Sequence, residues 1–119
     1  MLVDTSVWVH HLRYGNARLR SELDSAHVWT HLFVIGELAC GNLTKRVELL
    51  GHFAALPNVP IADHAEVLSF VDSRHLMGRG LGWVDVHLLA SATLGSVPLW
   101  TMDRRLADVA RELGLALDA

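Results

Sequence analysis

The chain predicts an α/β fold in three layers, α/β/α, with helices covering both faces of a central parallel sheet of about five short strands. Three observations predict it. Short β-like runs alternate with longer helical stretches along all 119 residues. The hydrophobic content of 51% is ample for a packed core and excludes a disordered chain. No repeat, low-complexity tract or long linker interrupts the pattern, so residues 1–119 read as one domain.

Taken in order, "MLV" is a short buried strand, and "SVWVHHLR" an amphipathic helix with Thr5 or Ser6 available to cap it. "NARLRSELDS" resumes the helical pattern after the break at Gly15. "HVWT" has strand composition, and "HLFVIGELACG" is an almost wholly apolar helix ending near Gly41 and Asn42. "TKRVELLGHFAAL" is helical until Pro57 stops it, and "VPIA" is a short extended link. Asp63 and Glu66 have the spacing of a capping box for "HAEVLSFVDSRHLM". "GRGLG" is a loop, and "WVDVHLLASATLG" a helix closed by Gly95. "VPLWT" is a strand, "DRRLADVAREL" a helix closed by Gly114, and "LAL" a last short strand. Parallel strands joined through helices require right-handed crossovers.

The totals exclude several functions. Ten Lys and Arg against thirteen Asp and Glu give a net charge of −3, without the basic surplus usual in nucleic-acid binders. A single cysteine, Cys40, excludes an internal disulfide framework and fits a reducing cytoplasm. No charged segment followed by an apolar one marks a signal peptide. The longest apolar stretch, "LGWVDVHLLASATLGSVPLW", contains Asp85 and His87, which a membrane span rarely tolerates.

Most acids, such as Glu22, Glu48, Asp72, Asp108 and Glu112, fall on solvated helix faces, and Asp63 is a cap. Four do not fit so easily. Glu37 has Phe33, Val34, Cys40 and Gly41 as its helical neighbours, and Asp85 leads a face that continues through Leu88, Leu89 and Ala92. An ionised carboxylate buried unpaired on either face costs several kcal/mol. A bond to a backbone amide or an Arg is the ordinary explanation for either one alone. Asp4 and Asp103 each follow a strand and precede a helix, where N-capping is equally available. Such turns also collect at the carboxyl ends of parallel strands, where open sheets bind ligands. If the four converge, they need a raised pKa or a cation, and an all-oxygen set suits Mg²⁺ or Mn²⁺. The lone cysteine and eight histidines without HExxH or paired Cys/His spacing argue against zinc. The adjacent His10 and His11 cannot share one helix face and read as partly exposed surface. The four tryptophans, Trp8, Trp29, Trp83 and Trp100, lie in or beside apolar runs and read as core or interface packing.

"LVDTS", "VIGEL", "GRGLGWVDVHLLASA" and "PLWTMDRRL", in this order and spacing, resemble the PIN-domain ribonucleases, specifically the VapC toxins of bacterial toxin–antitoxin pairs. The resemblance spans nearly the whole chain and is thinnest over residues 44–79. It implies a metal-dependent endoribonuclease that cleaves a cellular RNA of the tRNA or rRNA class and arrests translation and growth. Carried over residue by residue, the catalytic acids are Asp4, Glu37, Asp85 and Asp103, with Asp4, Asp85 and Asp103 as metal ligands. Glu37 then binds a second ion or orients the attacking water. Ser6 and Thr101 are supporting hydroxyls, and the cofactor is Mg²⁺ or Mn²⁺. In-line attack leaves a 5′-phosphate and a 3′-hydroxyl. The partners implied are the RNA substrate, a VapB-type antitoxin lying across the pocket, and a second copy of the chain in a homodimer, all in the cytoplasm. Setting the four acids aside takes the net charge from −3 to +1, so sequence-independent phosphate attraction is modest. Arg13, Arg79, Arg104 and Arg105 lie near the expected rim as RNA contacts.

Two rivals frame the reading. A receiver-type phosphoacceptor domain needs an adjacent acidic pair and a late lysine, whereas the one lysine here is Lys45. A PIN-fold module that binds RNA or protein without cutting is the other, and the four intact acids argue against it.

Overall fold

Leu2–Val3 (β1) and Leu99–Trp100 (β2) lie side by side as a parallel pair in a computed structural model that describes residues 1–117. The register sets Leu2 against Leu99 and Val3 against Trp100. Leu2 and Val3 are wholly buried. Burial of each such side chain contributes about 1.5–3 kcal/mol, enough to fix a two-residue strand whose backbone bonds alone would not. Between them run helices α1 (Thr5–Tyr14), α2 (Ala17–Asp24), α3 (Leu32–Ala39), α4 (Arg46–Ala55), α5 (His64–Ser73) and α6 (Trp83–Gly95). Helix α7 (Arg104–Glu112) follows β2.

The α/β class therefore holds, but the sheet is smaller than the five strands expected. Two strands form a ladder among the described residues. The other expected segments join it through single parallel bridges, Leu2 to Trp29, Thr30 to Asn58, and Leu99 to Ala116. Pro57 and Pro60 bracket the segment that meets Thr30, and neither has an N–H to extend the pairing. On its other side, the stretch through Trp29 gives way at once to the helix beginning at Leu32.

Helix α6 is the centre of the molecule. Seven consecutive residues, Val86 to Ala92, are buried, as befits a helix that is apolar nearly all round. Helix α7 is the opposite case, with Leu106, Val109 and Ala110 forming one buried stripe. The expected capping box at Asp63 and Glu66 is present, with both reciprocal bonds made. Helix α4 stops at Ala55, and Leu56, the residue before Pro57, is extended.

Two capping expectations change. Asp4, not Thr5 or Ser6, occupies the N-cap position of α1, and its side chain caps nothing there. Gly95 ends α6 as its last helical residue, while Ser96 takes the left-handed position at φ 52°. The reason is packing: a Cβ on Gly95 would stand 3.1 Å from Pro60 Cδ. No described helix is long and apolar enough to cross a membrane.

Candidate active site

The parallel register brings the ends of β1 and β2 to one edge. The Asp4 N–H donates to the Trp100 carbonyl at 2.9 Å, which fixes the two strand-end turns together. The Asp4 side chain is 6% exposed, and its Oδ2 accepts two hydroxyl protons, from Ser6 Oγ and from Thr101 Oγ1, each at 2.7 Å. Those hydroxyls also accept: Met102 N–H donates to Ser6 Oγ and Asp103 N–H to Thr101 Oγ1, both at 3.0 Å. Ser6 and Thr101, expected as supporting polar groups, thus tie a buried carboxylate to the backbone of the turn that carries Asp103.

Glu37 reaches the same edge from α3, where Thr5 Oγ1 donates to its Oε1 at 2.7 Å. It is exposed rather than stranded in the core. The helix that carries it starts at His31, whose Nδ1 accepts the Phe33 N–H at 2.9 Å as an N-cap. That bond fixes the tautomer, so His31 Nε2 carries the proton and donates to Ser91 Oγ of α6 at 3.1 Å. His31 is wholly buried, and burial, aided by nearby His87, pushes its pKa down to about 4.

Asp103 caps α7, its Oδ1 accepting the Leu106 N–H at 3.1 Å. Asp85, in the first turn of α6, accepts the Gly82 N–H on Oδ2 at 2.8 Å. Burial raises the pKa of Asp85 most, the Gly82 bond partly opposes this, and the charges of Asp4, Asp103 and Glu37 raise it further. The four acids therefore share one electrostatic environment.

One regularity unites them. Each carboxylate commits one oxygen to the protein: Asp4 Oδ2, Glu37 Oε1, Asp85 Oδ2 and Asp103 Oδ1. The other oxygen has no partner among the described residues. Four hard, singly anchored oxygens suit Mg²⁺ or Mn²⁺, ions that accept one oxygen from each carboxylate and keep waters. As they stand, no three Asp, Glu, His or Cys side chains among the described residues are grouped closely enough to hold an ion.

The expected RNA contacts divide. Arg104 and Arg105 are exposed in the first turn of α7, directly after Asp103. Arg105 lies over Gly80, which is left-handed at φ 77° and where a Cβ would stand 2.8 Å from Arg105 Nη1. Arg13 is exposed beside a groove of about 440 Å³ between α1 and α3, lined also by Val9, Leu12, Glu37 and Leu38. Arg79 is engaged elsewhere, in a two-bond pair with Glu112 at 2.8 and 2.9 Å that ties the 74–82 loop to α7.

Two participants, Thr5 and His31, have roles that the sequence did not predict. Thr5 was weighed only as a cap; its position beside Asp4 on a helix start, pointing about 100° from Ser6, was the available signal. His31 is an unusual cap, outside the residue types that mark helix starts. Trp83, expected to pack in the core or at an interface, is 41% exposed and so lies outside the core.

A family model described as "PIN domain" matches residues 1–112. Two curated relatives are both named ribonuclease VapC32, from Mycobacterium tuberculosis strains CDC 1551/Oshkosh and ATCC 25618/H37Rv. Each is 47% identical over 118 residues, covering 98% of this chain and 95% of the relative.

Proposed function

The chain belongs to the PIN-domain family as a VapC-type ribonuclease, and from that premise we propose that it is the toxin of a VapBC pair, a divalent-metal-dependent endoribonuclease whose catalytic acids are Asp4, Glu37, Asp85 and Asp103. The observation that carries this reading is the singly anchored set, in which each of the four carboxylates holds one oxygen against the protein and leaves the other unpartnered.

Asp4, Asp85 and Asp103 would hold Mg²⁺ or Mn²⁺, and Glu37 either a second ion or the attacking water. When bound, the cation neutralises charge on the scissile phosphate and acidifies water. The protein's own contribution is placement. Ser6 and Thr101 fix the Asp4 carboxylate by Oδ2, so that Asp4 would hold an ion with little reorganisation. Thr5 fixes Glu37 by Oε1, leaving Oε2 to take a proton from water. Burial raises the pKa of Asp85 most, the charges of Asp4, Asp103 and Glu37 add to it, and a cation would relieve that added repulsion. Exposed Arg104 and Arg105, directly after Asp103, and Arg13, beside the groove that Glu37 lines, are the candidate contacts for phosphates flanking the cleaved bond.

The same reading assigns partners. The groove beside Glu37, with walls of Val9, Leu12 and Leu38, suits the apolar face of a helix from a VapB-type antitoxin, with a basic side chain reaching the acids. The chain acts in the cytoplasm as a homodimer on an RNA of the tRNA or rRNA class.

Asp4→Asn tests the reading. RNA cleavage in Mn²⁺ should fall at least about a hundred-fold, the scale of losing one essential electrostatic group. Growth arrest on expression without antitoxin should vanish with Asp85→Ala. If Asp4→Asn cuts as fast as the parent, the acids do not carry catalysis, and a non-cleaving RNA- or protein-binding role takes its place.

A further inference from the structure

Trp83 opens α6 two residues before Asp85, and it stands apart from Trp8, which is 3% exposed against 41% for Trp83. Two rings fix its plane. The buried His87, one turn along α6, meets it at 4.7 Å and 85°, and His64, first residue of α5, meets it at 5.1 Å and 51°. His87 is held in turn by Phe33 of α3 at 4.6 Å, one turn before Glu37. The indole is thus oriented by α6, which carries Asp85, and by α5, while α3, which carries Glu37, reaches it only through His87; the ring remains open to solvent.

Such a ring is a rigid surface with little conformational entropy left to lose. Its flanks include the exposed imidazole of His64 and the bare backbone of Gly82. Unpaired RNA bases stack on surfaces of this kind, whatever their sequence. The geometry points to Trp83 as the stacking platform for an unpaired base beside the phosphodiester that the four acids address; we propose it as a substrate-binding residue of the ribonuclease site. The inference rests on the ribonuclease reading and deepens it. Register follows directly: a base clamped on the first residue of α6 sets which phosphate falls at Asp85.

Base-dependent binding separates stacking from phosphate attraction. Two fluorescein-labelled single-stranded RNAs of roughly ten nucleotides are titrated in Ca²⁺, one with all bases and one with abasic riboses throughout, gels confirming that both stay intact. The parent should bind the base-bearing strand at least about ten-fold more tightly, a gap of the size given by one stacked base. Trp83→Ala should close most of that gap without weakening the abasic strand, and Trp83→Phe should restore much of it. Circular dichroism checks that both variants fold. Equal affinity of the parent for the two strands, or a gap that survives Trp83→Ala, overturns the proposal. So does a change in self-association of Trp83→Ala by sedimentation with the gap intact, which would make this surface a protein interface. Metal-dependent cleavage by the parent is measured in parallel. Cleavage without base-dependent binding removes the Trp83 role alone, whereas absence of cleavage removes the ribonuclease reading itself.

Discussion

His31 makes the stability of this fold sensitive to mild acid. Its Nδ1 must stay unprotonated to accept the Phe33 N–H that starts α3, and the ring is wholly buried against Ser91. The folded pKa of about 4 lies below the ordinary value of 6.5. Between those values the unfolded chain binds a proton that the folded one excludes, so stability rises with pH across this window. The contribution is complete above pH 6.5 and is lost as pH falls, by about 1 kcal/mol at pH 5.5 and about 3 kcal/mol at pH 4. His31→Asn isolates it, because Asn caps helices well and does not titrate. At pH 7 the variant should be less stable by about 2 kcal/mol, from the lost ring packing and the Ser91 bond. Its stability should then fall less between pH 7 and pH 4.5 than that of the parent. Urea unfolding followed by circular dichroism at both pH values gives the two slopes, and the NMR titration of the His31 Hε1 proton gives the pKa. Parallel slopes, or a His31 pKa at or above 6.5, would refute the reasoning.

Asp103→Asn retains an N-cap for α7 and removes the charge, so Tm should barely move while Mn²⁺ binding by calorimetry and RNA cleavage are lost; Asp103→Ala should in addition lose about 1 kcal/mol with the cap. Thr5→Val keeps the shape of the side chain and deletes the hydroxyl that holds Glu37, so cleavage should fall about ten-fold with Mn²⁺ affinity at the three aspartates little changed. Gly80→Ala meets both a left-handed φ and Arg105 Nη1 at 2.8 Å, and should lower stability by about 1–2 kcal/mol in thermal melts.

The fold was legible where local rules act alone. The helix over "WVDVHLLASATLG", the capping box at Asp63 and Glu66, and the stop before Pro57 all stand as the sequence implied. The sheet was less legible, because a segment's strand composition does not state how many backbone bonds its neighbours can return, and the prolines at 57 and 60 limit that number. The acids were legible as a set, but each posed a choice between a cap and a site. A carboxylate has two oxygens, and in this molecule that choice dissolves. Asp103 caps α7 with Oδ1, Asp85 holds the Gly82 N–H with Oδ2, and the second oxygen of each remains unpartnered among the described residues. The local bond is what orients the outward oxygen, since an unanchored carboxylate would lose rotamer freedom on meeting a cation. Asp4 is the exception that exposes the logic. It sits at the N-cap position of α1 but caps nothing, because Ser6 and Thr101 already occupy its inner oxygen and tie together the two strand ends. Capping is therefore one of several ways this fold anchors an acid, and a local stabilising role for a strand-end carboxylate leaves its second oxygen available for a site.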